Sequence, residues 1–420
     1  MTVMRNSVIQ TATAGEFALG WRIVLLGVAG VLTSMSSALL YGFGTLVIPL
    51  QDAFGWSRGE LQTSITFLFA GVAIGSQLLG GLYARFGLRR VALFSLVAQV
   101  IGYGLLTTLS GSIYWLYLAF FVMPLLAVGT IAITWTQLIS LWFERNRGVA
   151  LAIILSGSGL AAMLMPPLLA WAVQTGGWRA AFMLLAAMPL LLTLPMALAW
   201  LKFPAQLVRN ADVKAPERNL DAVPFAVAVR SGVFWGCNVA LILSVSLIVG
   251  MVTTIVPYLQ DKGVPGLTAS QIFSSFGISI IVGRLLVGYL LDRFAPHLVA
   301  AASLAVPALG CLLFLLSGPS ATAALVLATV CIGFSAGAEF DIAAFLMARY
   351  FGLRDYARIF GLHLGLVTVI AGLAPAVFGY LFTVFGNYNP VLFYCLACAV
   401  VAPLVMLTLG SSPLYRKALA

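Results

Sequence analysis

Long runs of apolar residues, separated by short polar breaks, follow one another along almost the whole chain. An α-helix rises 1.5 Å per residue, so about 20 apolar residues cross the hydrocarbon core of a bilayer. Twelve such runs predict membrane-spanning helices. The predicted spans, numbered 1 to 12 in chain order, are 22–50, 59–83, 89–110, 113–140, 148–174, 178–201, 232–259, 269–291, 297–317, 321–348, 356–384 and 389–409.

One long polar segment, 202–230, lies near the middle of the chain and is rich in charged residues. It separates six predicted spans from the next six. The pattern therefore predicts an all-α membrane protein of twelve transmembrane helices in two pseudo-symmetric six-helix bundles. Their predicted bounds are 1–201 and 231–420, with 202–230 as a cytoplasmic central linker.

Composition excludes a soluble domain. Hydrophobic residues make up 62% of the chain and charged residues only 8%, against about 25% charged residues in an average soluble domain. The formal charge of +10 does not indicate a nucleic-acid partner, because the basic residues form short clusters between apolar runs. All five cysteines lie within apolar runs, so we expect no disulfide, metal site or cofactor.

The Lys and Arg residues predict the orientation in the membrane. With both termini in the cytoplasm, most of these residues fall in cytoplasmic segments, and only Arg58, Arg179 and Lys262 fall on the opposite side. The reverse orientation would invert the usual bias. We therefore expect a multi-pass protein with cytoplasmic termini, and the short loops favour a bacterial inner (plasma) membrane.

Two stretches of the chain repeat one another in parallel orientation. The end of span 2, Gly75-Ser-Gln-Leu-Leu-Gly80-Gly-Leu82-Tyr-Ala84-Arg85-Phe86, aligns with the end of span 8, Gly283-Arg-Leu-Leu-Val-Gly288-Tyr-Leu290-Leu-Asp292-Arg293-Phe294. Both spans are also predicted to begin with a capping box, Ser57 with Glu60 and Thr268 with Gln271. Two related sets of six spans are typical of secondary transporters.

The loop after span 2 carries a recognisable motif. Gly80-Gly-Leu82-Tyr-Ala84-Arg85-Phe-Gly87-Leu-Arg89-Arg90 resembles the cytoplasmic signature G-x-L-x-D-R-x-G-x-R-R of the major facilitator superfamily. Ala84 replaces the usual Asp, which puts part of that gate in doubt, and the second-half copy has Ala295 where Gly is usual. The resemblance implies transport by alternating access, with a gating motif formed by Gly80, Arg85, Gly87, Arg89, Arg90, Asp292 and Arg293.

Three further stretches resemble the monocarboxylate transporter and oxalate/formate antiporter branch of that superfamily. They are the end of span 1 from Tyr41 to Arg58, the segment from Trp142 to Gly159, and Gly283-Arg284 in span 8. This resemblance implies a small organic acid as substrate, often carried with a proton, and a transporter that acts as a monomer.

Three charged residues, Arg284, Glu339 and Asp341, lie well inside predicted spans, and His363 is a fourth titratable group there. A charge at the bilayer centre costs roughly 2.5–3.5 kcal/mol on insertion scales, so such residues normally face a partner or an aqueous cavity. The helical rise places Arg284, Asp341 and His363 about 12 Å from the cytoplasmic face. Spans 8, 10 and 11 therefore present these groups at one level.

Two interpretations of Arg284 remain open from the sequence. It forms a fixed ion pair with Asp341 or Glu339, or its planar guanidinium receives a substrate carboxylate bidentately. Glu339 and Asp341 lie about 200° apart around the helix and cannot both face one partner. We expect Asp341 to pair with Arg284 and Glu339 to carry a proton. His363 either titrates or is buried and neutral.

Several uncharged polar residues are weaker candidates for substrate binding, because small polar side chains also pack helices together in lipid. The sequence contains no H-E-x-x-H, no Gly-x-Ser-x-Gly and no phosphate-binding loop, so we expect no enzyme. We predict proton symport of a small organic anion; an anion exchanger without proton coupling and a non-transporting sensor are alternatives. The polar candidates for substrate binding are Tyr41, Thr134, Ser156 and Asn238.

Overall fold

The computed structural model describes residues 15–143, 146–201, 223–352 and 355–410, which are almost entirely helical. Span 1 comprises Gly15–Leu32 and Met35–Phe54; span 2 is Arg58–Phe86, span 3 Leu88–Leu106, and span 4 Ile113–Leu126, the 3-10 turn Val128–Thr130 and Ala132–Trp142. Spans 5 and 6 share Arg147–Met188, followed by the π-helical turn Pro189–Thr193 and Leu194–Trp200. After the short helix Phe225–Arg230, spans 7 to 12 are Gly232–Asp261, Gly266–Arg293, Pro296–Leu316, Thr322–Phe351, Tyr356–Phe385 and Asn389–Thr408.

Spans 5 and 6 are separated by a sharp bend at two glycines. Gly176 and Gly177 leave helical geometry, and Gly177 has φ +70°. L-residues with a side chain rarely adopt this left-handed region, whereas glycine does so at little cost. The chain therefore reverses direction there, and the twelve predicted crossings are present.

The two predicted capping boxes have different outcomes. Ser57 Oγ accepts from the Glu60 backbone N–H at 3.2 Å, and Glu60 Oε2 accepts from the Ser57 backbone N–H at 2.8 Å, so the first box is confirmed. The second box, Thr268 with Gln271, is wrong. Span 8 already begins at Gly266 with Pro265 as its N-cap residue, which places Thr268 inside the first turn.

The two halves are in contact near the loop that precedes span 2, which we call the Arg58 end. Spans 2 and 11 approach so closely there that a Cβ atom on Gly379 would lie 2.8 Å from the Arg58 carbonyl oxygen. Thr66 Oγ1 donates to the Gly372 carbonyl at 2.6 Å, and Gln62 Nε2 donates to the Thr253 carbonyl at 3.0 Å.

The halves separate toward the opposite side, which contains the loop at Gly87 and which we call the Arg85 end. A Cβ atom on Gly80 of span 2, or on Gly361 or Gly365 of span 11, would meet no atom within 4 Å. Within the described ranges, the hydrogen bonds that join the halves all lie toward the Arg58 end. The cleft between the halves is therefore open at the Arg85 end.

Three spans of the first half are discontinuous at one level. Span 1 breaks at Thr33 and Ser34, span 4 at Val128–Thr130 and span 6 at Pro189–Thr193. Side chains satisfy freed backbone groups at two of these breaks: Gln99 Nε2 donates to the Thr33 carbonyl at 2.7 Å, and Ser95 Oγ accepts from the Gly129 N–H at 3.0 Å. The breaks of spans 1 and 6 also meet through a hydrogen bond of 2.6 Å between Thr33 Oγ1 and Thr193 Oγ1. Spans 7 and 10 of the second half are continuous helices.

Most of the predicted linker, 202–222, lies outside the described residues. Its described part packs against the second half: the Val223 N–H donates to the Phe351 carbonyl at 2.9 Å, and the Phe225 N–H donates to Asp355 Oδ2 at 2.8 Å. The domain bounds 1–201 and 231–420 remain predictions.

Candidate functional site

Arg284 and Asp341 lie side by side where spans 8 and 10 face the cleft. Arg284 Nε lies 3.4 Å from Asp341 Oδ2, and the two side chains are 14% and 37% exposed. The buried Nε and Nη1 atoms of Arg284 make no hydrogen bond to any residue that the structure describes. The guanidinium is thus neutralised by a nearby carboxylate, while some of its donors stay free.

Glu339 lies on a more deeply buried face of span 10 than Asp341. Its exposed fraction is 5%, and its Oε2 atom has no hydrogen-bond partner among the described residues. Glu339 is close enough to Arg284 to interact with it electrostatically. One turn earlier, the fully buried Ser335 hydroxyl also lacks a described partner. Sequence reasoning missed Ser335, although its spacing of four residues from Glu339 places both on one helix face.

Tyr41 brings the first half into this site. Its side chain lies within electrostatic range of both Arg284 and Glu339, and its ring lies 6.2 Å from that of Phe276. Span 1 therefore faces the charged residues of spans 8 and 10 across the boundary between the halves. Among the polar candidates, Tyr41 is the one that the structure brings to the arginine.

His363 and Asn238 are paired with each other in the interior of the second half. His363 Nδ1 lies 2.9 Å from Asn238 Oδ1, and the two residues are 1% and 0% exposed. Asn238 Nδ2 already donates to the Phe234 carbonyl, so Oδ1 is the acceptor and His363 Nδ1 carries the proton. In this conformation the pair joins spans 7 and 11, and neither side chain is open to the cleft.

Thr134 and Ser156 make hydrogen bonds within the first half. Thr134 is fully buried, and its Oγ1 lies 2.5 Å from the Tyr83 hydroxyl. Ser156 Oγ donates to the Ala152 carbonyl of its own helix at 2.9 Å. The structure does not place either hydroxyl against Arg284.

The predicted gating motif lies at the Arg85 end and is largely exposed. Gly87, at φ +80°, ends span 2 and permits the turn into span 3. Arg89 Nη2 donates to the Leu198 carbonyl at 3.5 Å, within the first half. The second-half copy is exposed too, and Arg293 lies over the Tyr289 ring at 4.2 Å. The remaining motif residues are Gly80, Arg85, Arg90 and Asp292.

A second charged cluster closes the Arg58 end. Arg58 donates from Nη1 and Nη2 to both carboxylate oxygens of Asp261, and from Nη1 to the Tyr388 hydroxyl at 2.6 Å. Its guanidinium also lies 4.2 Å from the Phe382 ring. Arg58 belongs to the first half and these partners to the second, so this cluster, which we call the Arg58 gate, bridges the two halves. The sequence indicated Arg58 only as a topology signal.

No group of three or more His, Cys, Asp or Glu side chains suited to a metal occurs within the described ranges. The site is built instead from one arginine, two carboxylates and a phenol. Such a set can bind an anion and hold a proton, and the cleft gives it access from the Arg85 end.

Comparison with known proteins agrees with this architecture. The chain is 28% identical to monocarboxylate transporter 13 of Bos taurus over 378 residues, covering 88% of this chain and 84% of the relative. It is 24% identical to the uncharacterized MFS-type transporter YhjX of Escherichia coli (strain K12), covering 72% and 74%. The nucleoside transporter NupG (D323A mutant) superposes with a TM-score of 0.74 at 15% identity, covering 93% and 99%.

A bacterial homologue of the human lysosomal transporter Spinster superposes with a TM-score of 0.69 at 17% identity, covering 94% of this chain and 98% of the other. At this identity, the likeness concerns the fold alone. The family model described as Major Facilitator Superfamily matches residues 26–362 and 250–419, which together include both halves. The chain therefore belongs to the major facilitator superfamily, as an integral multi-pass membrane protein with the transporter fold.

Proposed function

We propose that this protein moves a small organic anion of the monocarboxylate type across the membrane, together with a proton, by alternating access. The observation that carries the proposal is Arg284. It is an intramembrane guanidinium beside the cleft; its Nε faces Asp341 Oδ2, and its buried Nη1 donor has no acceptor among the described residues. Buried donors without acceptors are costly, and a bound carboxylate would relieve that cost.

The chemistry of the site favours one carboxylate. A guanidinium meets a carboxylate through two parallel N–H donors, and the Tyr41 hydroxyl of the other half lies within electrostatic range of the same arginine. Asp341 already neutralises part of the arginine charge. A substrate with a single negative charge therefore fits better than one that needs several cations.

A proton would balance the charges during transport. Arg284 is accompanied by two carboxylates, Glu339 and Asp341, so a bound anion adds a third negative group at one level. Protonation of one carboxylate removes that repulsion. Inward movement of a proton supplies about 2.3 kcal/mol per 100 mV of membrane potential.

The two ends of the cleft support alternating access. The Arg58 end is closed by the Arg58–Asp261 ion pair, whereas the Arg85 end is open. The other state requires that ion pair to break while the Arg85 end closes. The Lys and Arg distribution assigns the Arg85 end and both termini to the cytoplasm, and the expected setting is a monomer in a bacterial inner membrane.

The test is uptake of a panel of labelled carboxylic acids into proteoliposomes, with and without an inward proton gradient. Wild type is compared with Arg284→Ala, Arg284→Lys and the control Arg179→Ala, whose arginine donates to the Thr107 carbonyl and lies over the Trp178 ring, both in the first half. We expect gradient-driven accumulation of one acid class, lost in Arg284→Ala, reduced in Arg284→Lys and kept in Arg179→Ala. Full uptake by Arg284→Ala would refute the anion assignment, and exchange without gradient-driven uptake would favour the exchanger.

A further inference from the structure

Glycines form the contact between spans 8 and 10, the helices that carry Arg284 and Asp341. A Cβ atom on Gly337 of span 10 would lie 2.1 Å from the Ile280 carbonyl oxygen and 3.0 Å from the Arg284 backbone nitrogen. A Cβ atom on Gly283 of span 8 would lie 2.3 Å from the Phe334 carbonyl oxygen. The two backbones therefore touch, with no room for a methyl group between them.

We infer that Gly283 and Gly337 are positioning residues for the Arg284–Asp341 pair. Gly283 immediately precedes Arg284, and Gly337 lies one turn before Asp341. The contact points are thus next to the two charged residues. The 3.4 Å separation of Arg284 Nε and Asp341 Oδ2 is set by where the backbones meet, and not by long side chains reaching across a gap.

This positioning has a consequence for transport, and here the inference rests on the proposed function. Arg284 and Asp341 lie in the same half, on helices packed backbone to backbone, so they move as one unit when the halves rock. Tyr41 lies in the other half, so its distance from Arg284 changes in that motion. The pair remains intact through the cycle, and substrate enters and leaves on its Tyr41 side.

The chain provides two matched control glycines. Gly310 of span 9 packs against the same helix on another face, where a Cβ atom would lie 2.7 Å from the Ala328 carbonyl oxygen. Its replacement by Ala also forces a clash with a backbone carbonyl, milder than the one at Gly337 and far along span 10 from Asp341. Gly288 of span 8 has no atom within 4 Å of an added Cβ, so Gly288→Ala tests the substitution without a clash.

The first experiment needs no substrate. It is a double-mutant cycle on the Tm of the full-length protein in detergent, combining each Gly→Ala change with Asp341→Asn. If Gly337 positions the Arg284–Asp341 pair, Gly337→Ala already weakens that pair. Asp341→Asn should then lower the Tm of the Gly337→Ala variant by less than half of the amount by which it lowers the Tm of wild type. With Gly310→Ala or Gly288→Ala, the loss from Asp341→Asn should be unchanged. The inference is refuted if Asp341→Asn lowers Tm by the same amount in wild type, in Gly337→Ala and in Gly283→Ala.

The second experiment measures exchange of the transported acid in proteoliposomes. Misplacing a positioned group by 1 Å costs up to about 100-fold in function. We expect Gly337→Ala to raise KM about tenfold with a smaller change in kcat, and Gly310→Ala to leave KM unchanged at a similar loss of Tm. Adding Asp341→Glu to Gly337→Ala should restore part of the affinity, because the longer side chain spans the wider gap.

The outcomes separate the two ideas. Wild type could transport none of the acids while the Tm measurements show that Asp341→Asn is coupled to Gly337→Ala and additive with Gly310→Ala. In that case the positioning role stands and the proposed substrate is wrong. If wild type transports an acid and Gly310→Ala raises KM as much as Gly337→Ala, the effect is general packing and the positioning role is refuted. Should Gly337→Ala not fold, Gly283→Ala gives the same readouts from the opposite helix.

Discussion

The Arg58 gate should hold the cleft closed at its end, and its removal should shift the balance between the two states. Arg58→Ala deletes the hydrogen bonds to Asp261 and Tyr388, the contact with Gln51 Oε1 at 3.3 Å, and the ring contact with Phe382. Gln51 lies in the same half, so only the other contacts oppose opening. Burial raises the pKa of the Tyr388 phenol, so this partner stays neutral in the physiological range.

The size of the shift follows from the exposure of the pair. Breaking a fully buried ion pair costs about 3–5 kcal/mol. The Arg58 and Asp261 side chains are 9% and 34% exposed, and both regain water when this end opens. We therefore expect a loss of about 2 kcal/mol from the closed state, which is about a 30-fold change in its population relative to the open state.

Labelling of a cysteine behind the gate measures this change. Thr45 is 4% exposed, and its hydroxyl lies 3.4 Å from that of Ser270 in the other half. It precedes the end of its helix at Phe54 by nine residues, so it lies about 14 Å inside the Arg58 end along the helix axis. Thr45→Cys should react slowly with a membrane-impermeant maleimide added from the Arg58 side, and about 30-fold faster with Arg58→Ala. The background from the five native cysteines is measured in the parent protein.

Arg179→Ala is the matched control, since it removes an arginine at the same end whose hydrogen bond to Thr107 and ring contact with Trp178 both lie within the first half. It should leave the labelling rate unchanged. The reasoning is refuted if Arg58→Ala folds normally and labels no faster than wild type, or if Arg179→Ala accelerates labelling to the same degree.

Three further predictions follow from the site. Glu339→Gln should abolish gradient-driven uptake while exchange in proteoliposomes stays within about twofold, because a neutral amide cannot carry the proton; loss of both would make Glu339 structural. His363→Ala should lower the free energy of unfolding by about 1–3 kcal/mol, since Asn238 Oδ1 then lacks its buried donor; unchanged denaturant unfolding would contradict this. Gly177→Ala should cost about 1–2 kcal/mol in the same assay because of its positive φ, with Gly288→Ala as control.

The twelve spans could be predicted from the sequence because a helix needs about 20 predominantly apolar residues to cross the hydrocarbon core. The similar depth of Arg284 and Asp341 in the membrane could also be predicted, because it follows from the rise per residue of a helix and the number of residues to each helix end. The helix breaks at Thr33 and Ser34 could not, because apolar residues flank them and the hydrogen bonds that stabilise the break come from distant spans.

Other features depend on how the halves meet. Tyr41 is one of several polar residues in the second part of span 1, and only tertiary packing brings it within electrostatic range of Arg284. The Arg58–Asp261 pair consists of two residues at helix ends, where charges normally serve as topology signals. Sequence patterns within one helix cannot distinguish a residue that faces water from one that forms an ion pair or hydrogen bond with the other half.

The helix breaks of the first half make the two halves unlike at the level of the charged site. The register that aligns Gly75 with Gly283 also aligns the 3-10 turn Val128–Thr130 with 336–338, directly before Glu339. One copy unwinds at this level and the other stays helical and carries the carboxylates. Transplanting Glu339 and Asp341 onto Ile131 and Ile133 would therefore not create an equivalent site, because Ile131 has extended backbone geometry and Ile133 lies in the first turn of the helix Ala132–Trp142. The two halves therefore share a six-helix scaffold, whereas the charged residues of the site, Arg284, Glu339 and Asp341, lie in the second half.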